Sequence, residues 1–340
     1  MKLSKIIESL ENWAPSIYQE SYDNSGLIIG DINSNINGCL ITLDCTEKVI
    51  DEAINKKCNL IISHHPLLFK SINKINYDNW ESRVIKKSIQ NNINIYALHT
   101  NLDNVSDGVN KKICDILKIN NPKILRKKEN LSCKLDIYIP EKDKDVFLNN
   151  IFNSGGGIIG NYSECSYQIS GKGTFLPQDG SNPKIGKINE KQTIEEIKLE
   201  IVFNKKHIKE IKECIERHHP YDEPTYHIYN TLNTSKNIGS GMFGKRKIEF
   251  NSLLSEIKKL FNVSSIRHSD VLNKNIDKIA VCGGSGSFLI EDSISVGADV
   301  FITSDLKYHD FFLADNKITI IDIGHYEGEQ FTKDLIYEYL

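Results

Sequence analysis

Residues 39–66 read CLITLDCTEKVIDEAINKKCNLIISHHP, and this stretch decides the fold class. The apolar run 39–43 predicts a strand, and apolar side chains then recur at helical spacing through 49–54. The run 60–62 predicts a second strand, which ends at Ser63-His64-His65-Pro66. Short apolar strands that alternate with a helix indicate a βαβ unit, and hence a mainly parallel sheet.

The same pattern recurs near the other end of the sequence. Apolar runs at 279–282 and 300–302 predict strands, and a helical pattern at 289–296 lies between them. In each half a further strand is expected. One of these strands ends just before His99-x-x-x-Asp103, and its counterpart ends just before His325-x-x-x-Glu329. The sequence therefore predicts an α/β domain built from two pseudo-repeated βαβ halves.

Five polar side chains follow these expected strands, namely His64, His65, Asp103, His325 and Glu329. Ligands of parallel sheets gather beyond the carboxyl ends of the strands, so the five side chains are expected to converge. Neutral imidazole suits Zn, Fe, Ni or Cu, whereas carboxylates also accept Mn or Mg and can bridge two ions. The residues alone leave two interpretations equally open. One is a metal site, and the other is a set of capping and packing groups at strand ends.

Between the halves the pattern changes. Residues 135–139 and 194–203 alternate as strands, 143–152 and 207–217 favour helices, and 226–232 favours a last strand. This order predicts a small ferredoxin-like α+β module inserted into the outer domain. The expected domains are 1–125 and 246–340 for the two halves of the metal-binding domain, and 126–245 for the insert.

Composition narrows the functional classes. A net charge of −3 gives no general attraction to nucleic acid, which is not expected as a partner. The first 13 residues favour an amphipathic helix over a signal peptide, and no apolar run is long enough to span a bilayer. The eight cysteines include no C-x-x-C pair and mostly lie in apolar stretches, which predicts reduced thiols. A cytoplasmic protein is expected.

Beyond these patterns, the chain resembles the Nif-three-like dinuclear-metal-centre family, whose members carry the name GTP cyclohydrolase 1 type 2. The resemblance covers nearly the whole chain. Its motifs are Tyr22-Asp23-Asn24-Ser25-Gly26-Leu27, Ser63-His64-His65-Pro66, His99-Thr100-Asn101-Leu102-Asp103, Thr303-Ser304-Asp305-Leu306-Lys307-Tyr308-His309, and Gly324-His325 with Glu329. The insert, through residues 155–162 and 219–224, is similar to that of long bacterial members, whose extra module resembles PII and CutA proteins.

The resemblance implies the ligand set His64, His65, Asp103, His325 and Glu329, which would bind two divalent metal ions. The sequence does not distinguish Zn, Fe, Mn and Mg. It also implies a homohexameric ring and a small-molecule substrate. The family name suggests GTP, whose imidazole ring would open with loss of formate to give a dihydroneopterin triphosphate. Two alternatives stay open: hydrolysis of another phosphate-containing metabolite, and a non-catalytic metal-binding or regulatory ring.

Three further side chains are candidates for the site. His99 occupies in the first half the place that His325 holds in the second. It is interpreted as an orienting group, a proton shuttle or a sixth metal contact, with the orienting role favoured. Asp305 and His309 are candidates for the pocket wall, although a helix start explains Asp305 equally well.

Three other motifs are discounted. Gly155-x-Gly157-x-x-Gly160 matches a dinucleotide fingerprint, but a helical pattern precedes it where a strand is required. His218-His219-Pro220 follows a charged helix end, so a structural role is favoured. For the glycine-rich segment 283–287, an anion-binding nest and a tight turn are both left open.

Overall fold

The computed structural model describes residues 1–340, which form two compact units. The outer unit comprises Met1–Lys128 and Lys236–Leu340, and the inserted unit comprises Glu129–Ser235. No helix combines the length and the apolar character needed to cross a bilayer. All eight cysteines are free thiols.

The first half of the outer unit contains a four-stranded sheet. Its elements are α1 (Leu3–Trp13), β1 (Gly26–Ile29), β2 (Cys39–Thr42), α2 (Glu47–Asn55), β3 (Leu60–Ser63), α3 (Trp80–Gln90), β4 (Asn94–Ala97), α4 (Thr100–Asp103), α5 (Val109–Ile116) and β5 (Asn120–Lys127). The strand order is β1-β4-β3-β2. The strands β2, β3 and β4 are parallel, and β1 is antiparallel to β4.

The central strands of this sheet are apolar because both of their faces are covered. All residues of β3 and β4 are buried, which is typical of parallel strands between layers. Ile50 and Ala53 of α2 pack in one apolar cluster with Ile61 of β3 and Ile95 of β4. The spacing of 50 and 53 places these two side chains on one helix face, which fixes α2 against the sheet.

The inserted unit has the order strand, helix, two strands, helix, strand. Its elements are β6 (Ser132–Pro140), α6 (Lys144–Asn153), β7 (Tyr167–Phe175), β8 (Gln192–Asn204), α7 (Ile208–His218) and β9 (Tyr226–Asn230). The sheet order is β7-β8-β6-β9, and every neighbouring pair is antiparallel. Alternate residues of β6, from Cys133 to Ile139, are buried in one cluster with Phe147 of α6 and Ile211 of α7. One face of the sheet thus carries both helices.

The second half of the outer unit contains a six-stranded sheet. Its elements are β10 (Gly239–Glu249), α8 (Phe250–Leu260), β11 (Arg267–His268), β12 (Asn275–Ser285), α9 (Ile290–Ser295), β13 (Val300–Ser304), β14 (Thr319–Asp322), α10 (His325–Glu329) and α11 (Thr332–Tyr339). The order is β11-β14-β13-β12-β10-β5. Short 3₁₀ helices complete the chain, at Ser16–Tyr18, Glu141–Asp143, Lys205–His207, Ser287–Leu289 and Tyr308–Ala314.

This sheet corrects the expectation of a mainly parallel arrangement. The strands β12, β13 and β14 are parallel, but β5, β10 and β11 are antiparallel to their neighbours. The same pairing changes the boundaries expected for the insert. Because β5 and β10 pair with each other in the outer sheet, the compact inserted unit spans 129–235 where the sequence suggested 126–245.

Candidate metal centre

The carboxyl ends of the parallel strands bring the five expected ligands together. His64 and His65 directly follow β3, Asp103 ends α4 just beyond β4, and His325 and Glu329 begin and end α10 just beyond β14. Donor atoms of these residues and of His99 form three overlapping groups. Within each group, all donor atoms lie within 4.8 Å of one another. These groups are His64, Asp103 and Glu329; His65, His325 and Glu329; and His64, His65 and His99.

His64 lies at the floor of the cluster and is fully buried. Its Nδ1 donates to the carbonyl of Leu98 at 2.7 Å, so Nε2 lies on the opposite side of the ring, toward the two carboxylates. That Nε2 lies 3.7 Å from Asp103 Oδ1 and 3.7 Å from Glu329 Oε1. Neither His64 Nε2 nor Asp103 Oδ1 has a hydrogen-bond partner, although both atoms are buried.

His65 and His325 share the second oxygen of Glu329. Glu329 Oε2 lies 3.0 Å from His65 Nε2 and 2.9 Å from His325 Nε2, and the two nitrogens are 3.2 Å apart. The Nδ1 atom of His65 donates to Asp44 at 2.8 Å, and that of His325 donates to Asp305 at 2.5 Å. Each imidazole is therefore held at Nδ1 and directs Nε2 at Glu329.

His99 is held in the same way. Its Nδ1 donates to Asp23 Oδ1 at 2.7 Å, and Asp23 Oδ2 accepts from the backbone N–H of Thr100 at 3.0 Å and from its hydroxyl. The ring centroid of His99 lies 5.3 Å from that of His64 and 5.4 Å from that of His65. All four imidazoles thus have Nδ1 fixed by an acceptor and leave Nε2 for the cluster.

Burial and charge act against each other at the two carboxylates. Burial raises the pKa of Asp103 to about 6, although the nearby His64 opposes the shift. Burial alone would also raise the pKa of Glu329, but the charge of His64 and the hydrogen bond from His325 hold that pKa well below its usual range. Desolvation lowers the pKa of His65, yet hydrogen bonds to Asp44 and Glu329 raise it to about 10.

The donor set fits a divalent cation. Buried polar atoms almost always have partners, so the unpartnered His64 Nε2 and Asp103 Oδ1 mark a place for an additional group. A cation between these atoms and Glu329 would satisfy both of them. Imidazole nitrogens mixed with carboxylate oxygens suit Zn, Fe or Mn, and the set does not select one of them.

Sequence reasoning missed Asp44 and did not assign a role to Asp23. Asp44 lies two residues beyond β2, so the strand-end rule that found the histidines would also have found it. Asp23 precedes β1 and follows no strand. Only the tertiary contact with His99 gives it a place in the site.

The pocket-wall candidates have different outcomes. Asp305 follows β13 with a φ of 56° and bonds His325; it does not begin a helix, because the next 3₁₀ helix starts at Tyr308. His309 is exposed, and its ring contacts those of Tyr308 and Phe312. It does not line the cleft above the cluster.

The outer carboxylates give a testable prediction. We expect Asp305→Asn and Asp44→Asn each to weaken metal binding by about 10- to 100-fold, since each removes the acceptor that orients a histidine. Competition titration with a chromogenic chelator measures this affinity. The control is Asp51→Asn, whose exposed carboxylate pairs with Lys87 on the surface and which should bind metal normally. Unchanged affinity in both site variants would contradict the orienting role.

The glycine-rich segment 283–287 passes too close to Glu329 for a side chain at position 284. Gly283 N donates to Asn110 Oδ1 at 3.0 Å, so this N–H is already engaged within the protein and is not available to an anion. Gly284 has a φ of 62°, and a Cβ built there would lie 2.1 Å from Glu329 Oε1. The segment therefore forms the irregular end of β12, where the absence of a Cβ at Gly284 leaves space for the Glu329 carboxylate.

This contact gives a second prediction. Gly284→Ala should displace the Glu329 carboxylate and lower metal affinity by about 10-fold or more, the size of effect seen when a ligand loses its orientation. Gly171→Ala is the control, because no atom lies within 4 Å of a Cβ at Gly171. Metal content after dialysis distinguishes the two variants. Equal retention by both would show that Glu329 has room to move.

The two remaining discounted motifs have structural roles in the inserted unit. His219 is buried, with Nε2 2.9 Å from the carbonyl of Tyr138 and Nδ1 accepting from Tyr221 N at 3.1 Å. The helix α6 ends at Asn153, and the glycines after it adopt positive φ values in a turn. A helix thus precedes this motif, in agreement with its rejection as a dinucleotide site.

A cleft of about 900 Å³ opens above the cluster. His65, His99, Asp103, His325 and Glu329 form part of its lining. The carboxylate of Glu329 is almost fully buried, whereas His325 is partly exposed. A small molecule in this cleft would therefore meet the open side of the cluster.

The fold and this cluster define the class of protein: a mixed α/β protein whose buried histidines and carboxylates could bind a metal ion. The family model Duf34/NIF3 (NGG1p interacting factor 3) matches residues 1–340, and the chain belongs to this family.

Individual relatives agree with this assignment. A protein of Staphylococcus epidermidis named GTP cyclohydrolase 1 type 2 homolog is 36% identical over 329 residues, which cover 96% of this chain and 89% of the relative. A protein of Halalkalibacterium halodurans with the same name is 35% identical over 326 residues, covering 94% and 87%. The crystal structure of a Bacillus cereus protein related to NIF3 has a TM-score of 0.79 at 30% identity, covering 98% and 92%.

Proposed function

We propose that the protein is a hydrolase that uses two divalent metal ions. His64 and Asp103 would bind one ion, His65 and His325 the other, and Glu329 would bridge them. The observation that carries this proposal is the pair of buried atoms without partners, His64 Nε2 and Asp103 Oδ1, each facing its neighbours in the cluster. Five convergent donors would serve little purpose in a site that only caps strands.

The chain's own residues supply orientation and proton transfer. When bound, two such ions stabilise the negative charge that develops on water and substrate oxygens in a hydrolysis. Asp44 and Asp305 hold a proton at Nδ1 of His65 and His325, which directs each Nε2 toward the position proposed for the metal. His99, held by Asp23, presents its own Nε2 at the edge of the cleft. It is our candidate for moving a proton between water and substrate.

The name of the relatives makes GTP the first substrate to test. Metal-loaded protein incubated with GTP should release formate and form a fluorescent dihydroneopterin product. Elemental analysis of protein purified without chelator should find two equivalents of metal per chain. His99→Gln should retain the metal but lose turnover. Metal without formate, pterin or turnover of other phosphate-containing metabolites would favour a non-catalytic, regulatory protein.

The architecture supports three finer proposals. The parallel strand sets β2-β3-β4 and β12-β13-β14 both lead into side chains of the cluster, Asp103 after β4 and His325 and Glu329 after β14, which supports two repeated halves. The order β7-β8-β6-β9, all antiparallel, supports a ferredoxin-like inserted module of the PII and CutA kind. The family resemblance supports a homohexameric ring, which light scattering coupled to size exclusion tests directly.

A further inference from the structure

The segment between β3 and α3 lines the cleft with apolar and cationic side chains. Phe69, Lys70, Ile72 and Lys74 of this segment, together with Trp80 at the start of α3, contribute to the cleft wall. Phe69 is 51% exposed and Trp80 is 46% exposed. Large aromatic side chains are usually buried, so two open rings beside a polar cluster need a partner.

Phe69 is a residue of this cleft wall that contacts the cluster, through the ring of His99. Its ring centroid lies 5.5 Å from that of His99, and the two planes are nearly perpendicular. The rest of the Phe69 ring is open to the cleft. A planar group packed on Phe69 would therefore lie next to the Nε2 side of the imidazoles.

The rest of the cleft contributes two more rings. Phe288 is 45% exposed, and Tyr22 is 66% exposed. Arg126 covers Phe288 at 5.3 Å from the ring centroid. Aromatic rings from three separate parts of the chain thus line one cleft. Binding sites for small molecules typically combine such rings with a few polar groups.

The charged side chains of the segment indicate the charge of the ligand that the cleft would bind. Lys70 and Lys74 are exposed, line the cleft, and form no ion pair. Other lysines nearby are already engaged, such as Lys87 with Asp51 and Lys86 over the ring of Tyr77. Two free ammonium groups beside two open rings favour an anionic group attached to a flat ring.

We propose that four side chains of this cleft wall bind the substrate: a heteroaromatic ring stacks on Phe69 and Trp80, and a phosphate meets Lys70 and Lys74. This proposal rests on the proposed function only in treating the cleft as the substrate site. Binding of the ring depends on the side chains of the cleft wall and not on the metal-binding cluster. It is therefore measurable whether or not the cluster performs hydrolysis.

The chain offers its own reporter for this binding. It contains two tryptophans, and Trp13 is stacked on Tyr339 with centroids 4.2 Å apart. In a Trp13→Phe background, emission comes from Trp80 alone. We expect GMP to quench it saturably, guanosine to bind more weakly, and ribose 5-phosphate to leave it unchanged. The titration is made with chelator-treated and with zinc-loaded protein, and binding in either form counts.

Variants of the cleft wall distinguish the contribution of the ligand's ring to binding from that of its phosphate. Phe69→Ala should weaken GMP and guanosine binding by about 10- to 100-fold, the range for loss of one stacking partner. Lys70→Ala combined with Lys74→Ala should weaken GMP binding but spare guanosine. Tyr77→Ala is the matched control, because Tyr77 is an exposed aromatic residue of the same segment that does not line the cleft. Metal content should stay normal in all of them.

Two results would overturn the proposal. One is the absence of saturable quenching by GMP in both forms of the protein. The other is a loss in Tyr77→Ala that equals the loss in Phe69→Ala, or a change in oligomer mass in Phe69→Ala, because either points to a contact between subunits. Quenching by GMP without formate release from GTP would sustain this binding site and reject GTP as the hydrolysed substrate.

Discussion

Glu329→Gln is expected to lose metal at both positions of the cluster, with affinity falling at least about 100-fold, the upper range for loss of a merely orienting group. Glu329 Oε1 faces His64 at 3.7 Å, while Oε2 contacts His65 and His325 at 3.0 and 2.9 Å. The amide keeps the size of the carboxylate but removes its charge and one acceptor oxygen. Both groups of donors therefore lose their shared member.

The control for this variant is Glu327→Gln on the same helix. The carboxylate of Glu327 lies next to Gly324 and outside the cluster, so its metal content should match that of the unmodified chain. Elemental analysis after dialysis against a weak chelator gives the comparison. One retained equivalent in Glu329→Gln would show that the two donor groups bind independently, and two would rule out a bridging role.

Phe147→Ala is expected to destabilise the inserted unit by about 3–5 kcal/mol, the usual cost of truncating a buried phenylalanine. Phe147 is 1% exposed and packs in an apolar cluster of this unit. A unit of this size has about 5–15 kcal/mol of stability, so this loss is a large fraction of it. Hydrogen–deuterium exchange followed by mass spectrometry should show faster exchange in peptides from 129–235.

The neighbouring position supplies the control. Val146 on the same helix is 69% exposed, and Val146→Ala should change stability by no more than about 0.5 kcal/mol. Because every residue of the cluster lies in the outer unit, Phe147→Ala should retain its metal. Retention would indicate that the inserted unit is an accessory to the site. Loss of metal would show that the site depends on the inserted unit.

Much of the fold could be predicted from the sequence, because the local apolar patterns agree with the burial found in the structure. The runs at 39–43 and 60–62 are strands, and the helix between them buries Ile50 and Ala53 as its spacing predicts. In the inserted unit the predicted order of strands and helices is also observed. In each of these elements the apolar residues recur with one clear period, so the sequence pattern is sufficient to predict the type of element.

The strands β5 and β10 could not be predicted from the sequence. β5 contains Pro122 and mostly exposed residues, and β10 begins with Gly239, Gly241 and Gly244. Neither segment has the alternation expected of a strand. They form strands because β10 pairs with both β5 and β12, which are contacts between distant parts of the chain. Such pairing leaves little trace in local composition.

The sequence by itself determined the histidines and carboxylates of the cluster, since strand ends can be located from apolar runs and His-x-x-x-Glu has helical spacing. Only the tertiary structure decided which of them meet, and which groups hold them. Asp23, Asp44 and Asp305 reach His99, His65 and His325 from positions 76, 21 and 20 residues away. The physical reason is that an imidazole needs one acceptor at Nδ1 to leave Nε2 free, and folding chooses that acceptor by proximity in space.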